Sequence, residues 1–316
     1  MAFRKGRAAE PCSVKRLEPT PEPGGQLPLD GGGQPTAPAL SAARILTALF
    51  SLERDRVRQL RMRISVESTK AAAAPMSSLM SRASFDRLAQ TRRRITKAGL
   101  PSAGPGRPGV AGVFVPWSGR LLVERGGIYW VGAGTEGDYG ADREQSFEAS
   151  HERAARLCDR GPHGRGHTPT WLFLDMLTRA LLDGPYDATT DRWGWSNLLK
   201  IGWSVGEPEE WPPELVERQQ AAAAAALREE FGQLRNSLVF VGALDDFGIL
   251  GEALEGKMIW HRTDDEHAGL WWHHDEGSGN LLVHGCHPSA ARRGHFSEAA
   301  LERTVLLARN LLPRFT

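Results

Sequence analysis

The most informative stretch of the chain is Asn280–Phe296, NLLVHGCHPSAARRGHF. A short apolar run, Leu281, Leu282 and Val283, leads to His287, Pro288 and Ser289, with Arg292 and Arg293 beyond. This pattern predicts a buried strand that stops abruptly and presents a histidine on a rigid turn. Pro288 fixes its own φ and pushes the residue before it into extended backbone, so the His287 ring is held where the strand ends. Ligands of open α/β sheets bind outside the carboxyl ends of strands, which places this imidazole for chemistry. Arg292 and Arg293 offer cations that suit a phosphate. A histidine that caps a helix or packs within the turn is the competing reading.

Three more segments precede it. Gly127–Gly140, GIYWVGAGTEGDYG, reads as a strand running into a glycine-rich loop. Gly194–Ser204, GWSNLLKIGWS, is a second strand-like run and carries Asn197 and Lys200. Ser237–Gly251, SLVFVGALDDFGILG, is an apolar strand ending in glycine, preceded by a long helix. In order and spacing the four segments resemble the uracil-DNA glycosylase superfamily. Its members share a strand with a glycine loop, a strand with Asn before an apolar pair and Lys, a helix leading to a strand that ends in Gly, and a terminal His-Pro-Ser motif. The resemblance covers roughly residues 113–312, and the combination carries it rather than any one motif.

That resemblance implies a DNA glycosylase: an enzyme that flips a base out of the helix and cuts its N-glycosidic bond. The base leaves with negative charge, and by resemblance His287 supports it. Asn offers a donor and an acceptor, matching the edge of uracil, so Asn197 is the candidate base reader. Gly132 and Gly134 of the glycine loop would line the base. Phe147 stands where relatives keep a stacking phenylalanine, although an ordinary core aromatic fits there too. Ser289, Arg292 and Arg293 would meet the DNA backbone. Many relatives carry an acid or amide two residues after the first glycine, followed by proline; here those places hold Gly134 and Thr135. Asp138, or less well in register Glu136, could take over the positioning of water. The final motif also has Ala290 where a second proline is common. Relatives with an iron–sulfur cluster need four cysteines, one just after the lysine. This chain has three, and Ile201 follows Lys200, so no cofactor is expected.

The expected function is therefore removal of uracil or another deaminated base from DNA. One alternative is a relative that keeps the nucleic-acid surface without catalysis; a weaker one is a small-molecule hydrolase on the same fold. A rival site gathers His261, His267, His273 and His274 with Asp264, Asp265, Glu266 and Asp275. Zinc takes such residues, but the adjacent His273 and His274 point to opposite faces of a strand, and solvated hairpin residues explain the set better. Trp271 and Trp272 likewise fit a hairpin with one buried face.

Charge is divided unevenly. Residues 1–110 hold 19 basic and 8 acidic residues, and the remainder holds 20 basic and 30 acidic. A basic arm beside an acidic body supplies sequence-independent nucleic-acid affinity, or is simply a solvated extension. Three cysteines make no paired framework and point to a reducing compartment. No apolar run approaches the roughly 18 residues that span a membrane, and Met1–Ser13 lacks the apolar core of a secretory signal. A soluble, cytoplasmic, monomeric protein with DNA as partner is the expectation.

The elements that must position these residues follow from periodicity. Residues 1–110 read as a largely disordered arm with one basic amphipathic helix over 41–63, and the folded domain as 111–316. Helices are expected over Ser146–Arg160, from Thr168-Pro169 to Gly184, from Pro212-Pro213 to about Leu234, and over Ser297–Leu312. Residues 257–285 alternate as strands with a hairpin turn at Gly277–Asn280. Strand–helix alternation implies an α/β three-layer sandwich around a mainly parallel sheet.

Overall fold

The computed structural model describes residues 78–104, 107–134, 146–164, 169–182, 189–243, 247–256, 259–263, 270–285 and 298–315. The helix expected over 41–63 falls outside them.

Four apolar runs build the centre of a seven-stranded sheet. β3 (Ile128–Gly132), β4 (Trp193–Asn197), β6 (Leu238–Gly242) and β9 (Asn280–Gly285) run parallel in the order β4-β3-β6-β9. β2 (Trp117–Ser118) closes one edge antiparallel to β4, while β8 (Trp271–Asp275) and β7 (His261–Arg262) close the other. β3 and β6 are buried at every residue, as a parallel sheet covered on both faces requires. β1 (Val110–Val113) and β5 (Ile201–Trp203) pair separately. The chain is thus mixed α/β with a sheet core.

Alternate positions face different helices, because side chains along a strand point to opposite faces. Ile128, Trp130, Leu238, Phe240 and Val283 pack with α3 (Phe147–Gly164), α4 (Pro169–Leu181) and α7 (Glu298–Leu311). Tyr129, Val131, Val239, Val241 and Leu282 pack with α1 (Arg82–Lys97), the short α2 (Arg120–Arg125), α5 (Pro213–Gln233) and α6 (Ile249–Ala253). The helices expected from capping and stripe patterns appear as α3, α4, α5 and α7. Pro213 opens α5 at a first-turn position, where its missing N–H has no partner to lose.

Two expectations change. The run 194–204 is not one strand: β4 ends at Asn197, Leu198–Lys200 turn, and β5 leaves the main sheet to pair with β1. The arm expected to be largely disordered over 1–110 holds a packed helix near its end. Ser81 caps α1, its Oγ accepting from the Ser84 N–H at 3.2 Å. Phe85, Leu88 and Ile95 are buried in the same cluster as Leu227 and Phe231 of α5. Glu229 of α5 anchors the helix start, accepting from the Ser81 N–H at 2.9 Å and the Ser84 Oγ at 2.5 Å. Folded structure therefore lies N-terminal to the expected boundary at 110. Deleting most of a fully buried leucine costs about 2–5 kcal/mol, so Leu88→Ala should lower unfolding free energy by that much in denaturant titration. A change below about 0.5 kcal/mol is what a solvated linker would give.

Candidate functional site

Four parallel strands end level with one another. Asn197 pairs in register with Gly132, Gly132 with Gly242, and Gly242 with Gly285. The carboxyl edge of the sheet thus carries a row Asn-Gly-Gly-Gly, about 14 Å long at the usual strand spacing. The chain leaves this edge after β3 toward Asp138 and after β9 toward His287. Asp138, Glu136, His287, Ser289, Arg292 and Arg293 lie outside the described residues.

The glycines of the row allow close approach. A Cβ on Gly242 would stand 2.2 Å from the Trp130 ring, which stacks on Phe240 at 5.4 Å between centroids. A Cβ on Gly132 would stand 2.8 Å from Asn197 Oδ1, so the asparagine side chain lies against β3. Asn197 is only 1% exposed. Its amide is therefore covered by its neighbours.

The turn after Asn197 is held from two sides. Toward β3, the Leu198 and Leu199 N–H groups donate to the Gly132 and Ala133 carbonyls, each at 2.8 Å. Toward α5, the amide of Gln219 meets both backbone groups of Ile201: its Oε1 accepts from the N–H at 2.8 Å and its Nε2 donates to the carbonyl at 2.9 Å. Lys200 then turns inward, fully buried, with its ammonium 2.6 Å from Glu230 Oε1 and bonded to Ser196 Oγ. Glu230 Oε2 accepts from Ser196 Oγ at 2.7 Å and from the Tyr129 hydroxyl at 2.9 Å. Four side chains from β3, β4, the turn and α5 so form one buried polar cluster. Burial pulls the Lys200 ammonium below the ordinary lysine value, and the Glu230 charge pushes it back up. Burial, and then the Glu230 charge, raise the Tyr129 phenol well above its ordinary value. Sequence reasoning missed Glu230. The signal was a carboxylate on the buried stripe of α5, with Leu215, Gln219, Ala223 and Leu227, but the alanine run blurs that stripe.

Gly134 has a steric cause. A Cβ there would stand 2.6 Å from the ring of Trp211, just ahead of α5. Trp211 is 4% exposed and its Nε1 donates to the Gly206 carbonyl at 3.0 Å. An aromatic ring thus packs on the position where the resemblance calls for an acid or amide. Phe147, at the start of α3, is half-buried against the cluster that holds Phe85 of α1 and Leu227 of α5. Phe85 meets its ring edge-on at 5.7 Å and the Arg82 guanidinium lies 5.5 Å from its centroid. The structure therefore gives Phe147 a packing partner in α1, and does not bring it to the Asn197 row by any described contact.

The histidine-rich hairpin stands at the far edge of the sheet. His261 stacks on Trp272 at 4.5 Å and Arg262 lies 5.8 Å from the Trp271 ring centre. Trp271 and Trp272 are both half-buried, where one buried face was expected. His273 Nδ1 lies 3.1 Å from the Ile259 carbonyl. His267, Asp264, Asp265 and Glu266 lie outside the described residues, among which no three His, Cys, Asp or Glu side chains gather as a metal site. A cleft of about 450 Å³ opens near the amino ends of β6 and β9, with Phe231, Val239 and Leu282 in its floor and Arg228, Arg235 and Asp275 at its rim. Arg228 already donates to the Ala253 and Glu252 carbonyls, at 3.0 and 2.7 Å.

Removing one partner of a buried ion pair leaves the other uncompensated, so Glu230→Gln should destabilise by about 3–5 kcal/mol in denaturant unfolding. Replacing both charges, as Lys200→Met with Glu230→Leu, should recover most of that loss. A single variant as stable as wild type would mean the pair is not ionised. The Tyr129 phenol has a folded pKa above its unfolded one, so its contribution is intact below about pH 10 and lost as pH rises beyond. Wild type should therefore lose stability relative to Tyr129→Phe above about pH 10, and a constant difference between them up to about pH 12 would show an ordinary phenol.

No protein-family profile matches this sequence, and no curated protein matches it.

Proposed function

We propose that the chain is a DNA N-glycosylase of the uracil-DNA glycosylase-like fold, hydrolysing the bond between deoxyribose and uracil or another deaminated base after base flipping. The observation that carries this reading is the level row Asn197–Gly132–Gly242–Gly285. It sets an amide, the start of the glycine-rich segment and the strand leading to His-Pro-Ser on one carboxyl edge, where α/β sheets bind ligands. In this reading Asn197 meets the base edge with a donor and an acceptor. His287 supports the negative charge that grows on the leaving base, and Asp138 positions the attacking water. Gly132 and Gly134 border the base, while Ser289, Arg292 and Arg293 hold the backbone on either side of the flipped nucleotide. Phe147 would stack on the base only by leaving its packing with Phe85 and Arg82.

A second reading is favoured by Gly134. The Trp211 ring occupies the space that an acid or amide side chain would need there. A relative that binds damaged DNA without cutting the glycosidic bond fits that closure. Uracil-containing oligonucleotide treated with the protein and then with alkali separates the two. Strand breaks at uracil support the glycosylase. Tight binding to uracil or abasic DNA without breaks supports the binding protein, and neither breaks nor binding removes both.

If breaks appear, His287→Ala should lower single-turnover base release by about 10²-fold or more, the scale of losing one transition-state donor. DNA affinity and melting temperature should change little, since the interaction belongs to the transition state. Asn197→Ala, with folding checked by circular dichroism, should instead relax discrimination between bases. A His287→Ala protein that melts far below wild type, while its folded fraction releases base at the wild-type rate, would make His287 a structural turn residue.

A further inference from the structure

The sequence of α1, RASFDRLAQTRRRITK, carries six basic residues and one acid, on a body that is acidic from residue 111 onward. Its two faces divide cleanly. Phe85, Leu88 and Ile95 point into the core, while Asp86, Arg87, Gln90, Arg93, Arg94 and Lys97 are exposed along one stripe. Arg93, Arg94 and Lys97 make no ion pair among the described residues, whereas Arg82 is engaged by Glu148. Arg92 stands apart from the stripe, because its Nε donates to the Ala111 carbonyl at 2.6 Å and ties the helix to β1. Burial, with the neighbouring Arg93 charge, lowers the Arg92 guanidinium from its usual value.

From this geometry we infer that the exposed stripe of α1, centred on Arg93, Arg94 and Lys97, is a docking surface for the sugar–phosphate backbone of DNA. The choice of DNA as partner rests on the glycosylase reading. Three features of the helix fit it. The stripe from Arg87 to Lys97 runs about 15 Å, long enough to face several phosphates of one strand. The cations stand on a helix fixed by its buried face and by Arg92, so few degrees of freedom are lost on binding. The helix that carries the stripe is also tied by Arg92 to β1, the partner of the strand that follows the Asn197 turn. A membrane surface fits less well. Helices that bind bilayers insert an apolar face, and the apolar face of α1 is buried in the core.

The test uses the full chain with Arg93, Arg94 and Lys97 all changed to Gln, and separately to Lys, Lys and Arg. Binding to a uracil-containing duplex of about 20 base pairs is measured by fluorescence anisotropy between about 50 and 250 mM salt, a range over which phosphate contacts weaken steeply. The Gln variant should bind at least about tenfold more weakly at low salt, and its log–log salt slope should be smaller by about 2–3, since each phosphate that a cation neutralises adds about 0.9. The charge-keeping variant should restore most of the affinity, and both should melt like wild type. Wild-type affinity and slope in the Gln variant overturn the inference. So does unchanged DNA binding accompanied by loss of binding to vesicles of anionic lipid or to an acidic peptide. The two readings fail separately: strand breaks at uracil with an indifferent α1 sink only this surface, and α1-dependent binding without strand breaks sinks only the glycosylase. A wild type that binds no DNA even at the lowest salt sinks both.

Discussion

Lys200 and Glu230 place opposite charges where neither touches water, and the arrangement of one whole layer follows from keeping them together. Each ion loses its hydration on folding, at a cost of several kcal/mol that only near-perfect pairing offsets. The 2.6 Å contact and the hydroxyls of Ser196 and Tyr129 supply that pairing. Such a cluster is poor at adding net stability compared with an apolar core of the same shape. It is strict about geometry, because a shift of α5 along the sheet would leave a buried charge alone. The same helix pairs both backbone groups of Ile201 through Gln219, so adjacent residues of one turn are gripped by one helix.

Asn197 inherits its position from that grip. It is the last residue of β4, followed at once by the turn that Lys200 closes, and β3 fixes its other side through the Leu198 and Leu199 N–H groups. On the opposite face, Trp130 lies across the end of β6, which only glycine at 242 permits. The two layers therefore meet the carboxyl edge in different ways: one holds the Asn197 turn by buried charge and hydrogen bonds, the other lays the Trp130 ring over Gly242. Both pack against strands that end level with one another.

Much of this was legible in the sequence. Uninterrupted apolar runs identify β3, β6 and β9, and capping with stripe patterns identifies α3, α4, α5 and α7. Two things were not. α1 has three large buried residues among six cations, so composition resembles a solvated linker and the apolar spacing is faint. Its helix is stabilised by tertiary contacts with Glu229 and the α5 surface, which no local window contains. The split of the 194–204 run was hidden too, because a strand that ends and one that continues both read as alternating apolar residues. Lys200 was the clue, since a lysine within an apolar run must find a buried anion, and the nearest in sequence is not the nearest in space.

Trp211 shows how a distant residue can decide the chemistry of a loop. It sits just before the proline pair that opens α5, and the start of that helix fixes where its ring falls. The ring lands on Gly134 and shuts out any side chain at the second residue after β3. If the glycosylase reading holds, a carboxylate that positions water would come from farther along the glycine-rich segment, where Glu136 and Asp138 stand in the sequence. On the glycosylase reading, the glycine at 134 and a water-positioning acid later in the segment would answer to one packing constraint. Because Trp211 and Lys200 both answer to α5, the helix that holds the Asn197 turn also sets the ring that closes over Gly134.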